Sequence, residues 1–374
     1  SFNGMKSINK SDIVIYATLF LFTVNVSAQD FDELEFGTDS TFEILTWNIE
    51  WFPKNGQITV DYVTQIIQAL EIDVLAIQEV SDTLLFNQML DELTGYESYY
   101  QSAWFAGLAY IYKTNAIEIN DIYEIYTTAP YWSPFPRSPM VMDMTYLGEN
   151  IIIINNHFKC CGDGYLDLDD PDDEETRRYL ASNLLKEYID TNFSNNNVIV
   201  LGDLNDILTD DTKNNVFQMI LNDTENYLFA DMEIAAGNSS EWSYPWWPSH
   251  IDHILITNEL FDEFENESSK VQTIKIDEFM DGGFDEYYEN ISDHRPVALK
   301  LEFIALSDGD VNGDGVTDII DINILVDFIL GNQIPTPSQF AAADLNQDTI
   351  IDVMDIVLLV DLILGSTLLP VQTR

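Results

Sequence analysis

Between Phe42 and Phe303 short apolar runs rich in Ile, Val, Leu and Tyr alternate with segments of helical period, and this alternation limits the available folds more than any other feature. The runs Glu43–Ile49, Val74–Val80, Leu108–Lys113, Ile151–Phe158, Val198–Gly202, Ile251–Thr257 and Val297–Phe303 read as strands. The segments Val60–Leu70, Leu84–Leu93 and Glu174–Asp190 read as helices, the last with Tyr179, Leu180, Leu184, Leu185 and Tyr188 at helical spacing. An α/β domain over residues 42–305 follows, and 46% apolar residues in 374 can fill its core. The stretch Asp163–Glu175, with eight acids in thirteen residues, reads as a solvated insertion loop, with a calcium site as the alternative.

The first 28 residues have the pattern of a targeting segment. Met5 is followed by Lys6 and Lys10, an apolar run from Ile13 to Val24, and Val26-Ser27-Ala28 before Gln29. Twelve apolar residues reach only about 18 Å as a helix, against roughly 30 Å of hydrocarbon, so a cleaved signal peptide is expected rather than an anchor. Residues 29–41 then read as a linker. No other segment is long and apolar enough to cross a bilayer, so a secreted, soluble monomer is expected.

A net charge of −50 argues against tight, purely electrostatic binding of a polyanion. It leaves hydrolysis of one open, because bound divalent cations supply positive charge locally. The two cysteines, Cys160 and Cys161, are adjacent. Their Cα atoms, about 3.8 Å apart, fall short of the usual 4.4–6.8 Å of a disulfide, so a strained vicinal disulfide and two free thiols both remain open.

After Ile304 the texture changes. Asp310–Gly331 and Asp344–Gly365 align without gaps at a spacing of 34, with 12 of 22 positions identical. Such a repeat marks a separate module over residues 306–374. In its first copy Asp310, Asn312, Asp314, Asp318 and Asp321 fall at positions 1, 3, 5, 9 and 12 of a calcium loop, with Val316 offering a carbonyl. In the second, Asp344, Asn346, Asp348, Asp352 and Asp355 repeat the pattern, with Ile350 for the carbonyl. Two Ca²⁺ ions are expected. One loop followed by one helix, twice, resembles a dockerin, which implies a cohesin-like or cell-surface partner. The residues at loop positions 10 and 11, Ile319-Ile320 and Val353-Met354, depart from the usual Ser or Thr, and Thr349 stands where the first loop has Gly315.

Six short segments place polar residues at strand ends: Trp47-Asn48-Ile49-Glu50, Ile77-Gln78-Glu79-Val80, Asn155-Asn156-His157-Phe158-Lys159, Gly202-Asp203-Leu204-Asn205, His250-Ile251-Asp252-His253 and Ile291-Ser292-Asp293-His294-Arg295-Pro296. Strand ends are where open α/β sheets bind ligands. Glu79, Asp203 and Asp293 are hard oxygen donors, the amides can bind phosphate, and the histidines can move protons. Hydrolysis of a phosphodiester requires these parts.

The ordered set Asn48, Gln78-Glu79, His157, Gly202-Asp203-x-Asn205, Asp252 and Ser292-Asp293-His294 resembles the endonuclease/exonuclease/phosphatase superfamily of DNase I, the abasic-site endonucleases and the bacterial sphingomyelinases. The resemblance implies a four-layer sandwich, two packed mixed β-sheets flanked by helices, followed here by a small all-α calcium-loop module. It implies Glu79, Asp293 and Asn48 as ligands of Mg²⁺ (or Mn²⁺ or Ca²⁺), and Asp203 and Asn205 as orienting water and phosphate. His157 would be the general acid, and His294, oriented by Asp252, a general base or a phosphate-stabilising group. The arginine that DNase I relatives carry after the Gln-Glu pair is replaced by Ser81-Asp82, so Arg177 and Arg178 become candidate phosphate contacts, the alternative being surface arginines that balance Asp172–Glu175. His253 reads as a further ligand or an interior residue. Trp242, Tyr244, Trp246 and Trp247 could stack nucleobases, rest on lipid headgroups or pack over the sheet edge.

The expected function is an extracellular nuclease acting on DNA and localised by its tail. The alternatives are a sphingomyelinase-like phospholipase, a binding protein with a decayed site, and a structural adhesin.

Overall fold

The computed structural model describes residues 31–365 apart from 32, 39, 103, 304, 305 and 336, so the signal-peptide reading of residues 1–28 lies outside the described residues. Twelve strands are described: β1 Phe42–Phe52, β2 Val74–Val80, β3 Tyr96–Tyr99, β4 Gly107–Lys113, β5 Glu118–Glu124, β6 Met140–Tyr146, β7 Glu149–His157, β8 Asn197–Asp203, β9 Tyr227–Phe229, β10 Asp252–Thr257, β11 Lys270–Thr273 and β12 Val297–Leu301. They form two six-stranded mixed sheets, ordered β11-β12-β1-β2-β4-β3 and β5-β6-β7-β8-β10-β9. All seven strands expected from the sequence are present. Four of the five unforeseen ones, β3, β5, β9 and β11, are sheet edges, and three of those have only three or four residues. The fifth, β6, is central, but its apolar positions are mostly methionine rather than β-branched residues, so it carries little strand signal.

Side chains alternate between faces along a strand, so neighbours such as Ile44 and Leu45 enter different cores. Ile44, Ala76, Tyr110, Met142, Ile153, Leu201, Ile254 and Leu299 fill the space between the sheets. On the outer face of the first sheet, Leu45, Trp47, Leu75 and Ile77 pack under helices α1 (Gln57–Leu70) and α2 (Thr83–Glu92). On that of the second, Ile152, Ile154, Val198 and Val200 pack under α3 (Glu174–Asn192). The result is a four-layer sandwich in which each fully buried Leu or Ile contributes about 1.5–3 kcal/mol. Within the stretch expected as a linker, residues 29–41, Phe31, Leu34 and Phe36 join this core, buried beside α1.

Two parallel pairs position the site. β1 pairs with β2 across α1, and β7 with β8 across α3, so all four strands end at one rim. β10 runs antiparallel to β8 and β12 antiparallel to β1, so both begin at that rim. The register sets His157 opposite Asp203 and Asp252 opposite Asp203.

The C-terminal module has helices Ile319–Leu330 and Val353–Ile363, each opened by a capping box, Asp318 with Asp321 and Asp352 with Asp355. Leu325 and Leu359 are buried together with Val311, Phe328 and Ala343. Val326 and Ile363 are exposed, and the connector helix Pro337–Ala343 supplies Ala343 to this core. In the two loops, the N–H groups of Gly315 and Thr349 donate equivalently to Asp310 Oδ2 (3.0 Å) and Asp344 Oδ2 (2.8 Å). Both residues have positive φ, 78° for Gly315 and 69° for Thr349, and a β-branched residue there costs roughly 1–2 kcal/mol. Thr349→Gly is therefore expected to stabilise the module by about 1 kcal/mol. Thermal unfolding monitored through the tail's helical signal checks this, and an unchanged midpoint would mean the loop relaxes its strain.

Candidate active site

Asn48, near the end of β1, ties the two sheets together at the rim. Its Nδ2 donates to Glu79 Oε1 (3.2 Å) on β2 and to Asp203 Oδ2 (3.0 Å) on β8, while its Oδ1 accepts from Glu50 N–H. Glu79 Oε2 accepts from Trp51 N–H. The chain bends sharply here: Glu50, Trp51, Glu79 and Asn205 all have positive φ. None is glycine, and such backbone persists where surrounding structure holds a functional side chain in place. Below the rim, Gln78 Nε2 donates to Asn155 Oδ1 (2.8 Å), and Asn155 Nδ2 donates to the carbonyls of Ile77 and Ala109, so a buried amide bridge fixes one sheet against the other. Gln78 is thus a structural member of its motif.

His157 Nε2 lies 3.4 Å from Asp203 Oδ2 and 3.8 Å from Glu79 Oε1. Burial, with smaller contributions from Arg137 and His294, holds its ring well below the ordinary histidine range, so it is neutral. Among the described residues its Nδ1 has no partner, and none of their carboxylates orients this ring. His294 is the opposite case. Burial works against its charge, but Asp252, whose Oδ2 lies 2.8 Å from Nδ1, together with Asp203 outweighs burial and holds the ring well above that range. His294 is an imidazolium, and its Nε2 faces Asp203 Oδ2 and Asp293 Oδ1 at 3.8 Å each. The loop is fixed by Ser292, whose Oγ donates to Asn48 O (2.6 Å) and accepts from His294 N–H (3.0 Å). Asp203 itself is pushed up to about 7, chiefly by burial.

Asn48, Glu79, His157, Asp203 and His294 line a cavity of about 390 Å³ that also reaches Glu50, Asn205, Tyr244, Asp293, Cys160 and Cys161. Its donor set suits a hard cation: Glu79, Asp293 and Asn48 offer oxygens, and burial raises the carboxyls of both Asp203 and Glu50. Carboxylates crowded in this way are stabilised by a divalent ion.

Other expected residues lie elsewhere. Arg178 is buried, with Nε on Asp206 Oδ2 (2.7 Å), Nη2 on Glu175 (3.1 Å) and Nη1 on the carbonyls of Lys159 and Cys161, so its guanidinium is committed to the fold. Arg177 donates from Nε to Ser133 O and does not line the cavity. Arg137 acts on His157 alongside His294, lowering its proton affinity, and the sequence reading missed it because no motif flanks it. His253 is interior: Nδ1 meets Asp231 Oδ2 (2.6 Å) and Nε2 meets Asp206 O (2.8 Å), which requires a proton on both nitrogens. Among the aromatics, the Tyr244 ring packs 4.9 Å from that of His294, Trp246 stacks on Tyr288 at 4.8 Å, and Trp242 donates to Ile234 O.

The sequence model of the Endonuclease/Exonuclease/phosphatase family matches residues 45–294, spanning every one of these site residues. The chain belongs to that family. The family's members are hydrolases of phosphoester bonds, and residues 308–364 match the dockerin type I domain. No curated protein matches the chain by sequence. Among solved structures, D. rerio TDP2 complexed with a single-strand DNA product is 13% identical with a TM-score of 0.52, over 71% of this chain and 100% of that one. The human Nocturnin catalytic domain with bound sulfate anion is 16% identical with a TM-score of 0.51, over 70% of this chain and 94% of that one. At such identities the likeness shows the endonuclease/exonuclease/phosphatase fold. Among the described residues no helix is long and apolar enough to cross a membrane.

Proposed function

We propose that this family member is a secreted, divalent-metal-dependent phosphodiester hydrolase acting on DNA, with its catalytic domain at residues 42–305 and a calcium-binding tail at 306–374. The observation that carries the reading is the convergence of His157, Asn48 and His294 on the one buried carboxylate of Asp203. Glu79, Asp293 and Asn48 would hold Mg²⁺ (or Mn²⁺ or Ca²⁺), which when bound neutralises charge on the phosphate. Asp203 and Asn205 orient the attacking water, and an Asp203 carboxyl near 7 is well matched to accept its proton. His294, kept charged by Asp252, meets the phosphate oxygens, which favours the phosphate-stabilising role over that of a base. A bound phosphate brings negative charge to His157 and raises its proton affinity, preparing it as general acid for the leaving oxygen.

Purified protein with Mg²⁺ is assayed against plasmid DNA, RNA, sphingomyelin, a simple phosphodiester and a phosphomonoester. Cleavage of DNA is expected. A second reading, a sphingomyelinase-like phospholipase, is favoured by Trp246 and Trp247, which are 59% and 78% exposed beside the site. Hydrolysis of sphingomyelin but not DNA would select it, and no hydrolysis of any substrate would indicate a binding protein.

The raised Asp203 carboxyl also sets a pH dependence. The working form is ionised, so activity is expected to fall about tenfold per pH unit below about 7, where Asp203 takes up a proton. A nearby cation favours the ionised form, so raising Mg²⁺ shifts this limb to lower pH. Profiles of kcat/KM against pH at two Mg²⁺ concentrations test this; a limb that stays in place would mean Asp203 lies outside the metal's field.

A further inference from the structure

The structure assigns Cys160 and Cys161 as a dithiol modification site on the wall of the catalytic cavity, one that a low-molecular-weight disulfide converts reversibly to a vicinal disulfide. Both cysteines are free and exposed, and both line the cavity that holds His157 and Asp203. The Cys161 thiol donates to Cys160 Sγ across only 2.9 Å, so the two sulfurs already face one another. Cys161 has φ 71°, an uncommon conformation for a residue with a side chain. The surroundings hold it there: Arg178 Nη1 donates to Lys159 O (2.8 Å) and Cys161 O (2.7 Å), and Lys159 Nζ donates to Cys160 O (2.9 Å). Three successive carbonyls are thereby tied down, and the dithiol is held in its paired geometry.

The chemistry balances as two exchanges. Cys160, whose sulfur lies 3.8 Å from the Lys159 ammonium, attacks a small disulfide RS–SR and releases one RSH, forming a mixed disulfide. Cys161, the thiol that donates to Cys160, then attacks the Cys160 sulfur and releases the second RSH. Two protons and two electrons leave the protein, and the small disulfide is reduced to two thiols. The ring that forms joins Cα atoms about 3.8 Å apart, below the usual disulfide span, so the peptide between the cysteines must twist. That peptide carries the Cys160 carbonyl held by Lys159, and its rotation also carries Cys161 O away from Arg178.

The consequence reaches the site through short links. Arg178 holds Asp206, the neighbour of Asn205, and Asn205 Nδ2 donates to Phe158 O (3.3 Å), next to His157. Oxidation therefore displaces Asn205 and the His157–Phe158 segment. For this effect on turnover, the inference rests on the hydrolase reading above.

The full chain is equilibrated in glutathione buffers of stepped oxidised-to-reduced ratio and measured by intact mass, thiol count, and turnover of a chromogenic phosphodiester with Mg²⁺. The expected result is a loss of two hydrogens with no lasting glutathione adduct, restored by dithiothreitol, and a kcat lowered about tenfold or more in the oxidised form, since small misplacements at a site are costly. The double variant Cys160→Ser, Cys161→Ser should show a turnover that does not respond to the ratio, whatever its level. A persistent glutathione adduct, a disulfide-linked dimer, or an oxidised enzyme with unchanged kcat overturns the inference. If the reduced chain hydrolyses nothing, the hydrolase reading fails, while mass and thiol count still decide the modification.

Discussion

On the proposed function, replacing His157 or His294 by alanine is expected to lower kcat by about 10²–10⁴-fold each, the usual worth of a positioned proton-transfer or charge-stabilising group. The two variants differ in stability. His157 Nδ1 has no partner, so its loss leaves no hydrogen-bonding group stranded beyond those already crowding Asp203. His294 neutralises Asp252, a buried carboxylate whose Oδ1 already lacks a partner, so His294→Ala leaves an uncompensated charge and is expected to cost about 1–3 kcal/mol. Urea unfolding beside steady-state kinetics separates the two. Equal stability losses would mean the Asp252–His294 pair contributes little to the fold, and near-native turnover in either variant would remove its assigned role.

Calcium removal is expected to melt the tail and leave the catalytic domain standing. Each loop gathers four aspartates: Asp310, Asp314, Asp318 and Asp321 in the first, and Asp344, Asp348, Asp352 and Asp355 in the second. Backbone N–H groups and, in each loop, an asparagine amide face them, as where Asp321 accepts from Val311, Asn312 and Asp318. Without a cation the mutual repulsion opens the loops, so ion binding becomes folding free energy. Circular dichroism of the whole chain with calcium, and with EGTA in the presence of Mg²⁺, should lose the signal of helices Ile319–Leu330 and Val353–Ile363. Hydrolysis should persist while retention on a cohesin-like partner disappears. Equal helix content in both conditions would show that the loops are not calcium-dependent.

Seven of the twelve described strands were legible in the sequence as apolar runs, and Asn48, Glu79, His157, Asp203, Asn205, Asp293 and His294, which stand where such runs meet polar residues, line one cavity. What was not legible depends on distant partners. His294 is charged because of Asp252, 42 residues away, and neither residue reveals this alone. Arg178 resembled a phosphate contact because it opens a helix beside an acidic loop; its actual partners are Glu175 of that loop, which the alternative reading named, and Asp206 and two carbonyls from separate segments. Arg137 carries no motif and is recognisable only once the fold brings it near His157. Phe31, Leu34 and Phe36 looked like linker residues because a run of that length shows no period, yet they seal one edge of the core.

The division of the site between two sheets governs when activity can begin. Asn48, Glu79 and His294 belong to segments of the first sheet, and His157, Asp203 and Asp252 to the second, with the Gln78–Asn155 amide bridge fastening one sheet to the other. Neither sheet holds a working half. A partly folded chain therefore lacks the assembled site, whose residues come together only where the sheets dock. In a family whose members hydrolyse phosphoester bonds, a site divided in this way is incomplete until the two sheets meet.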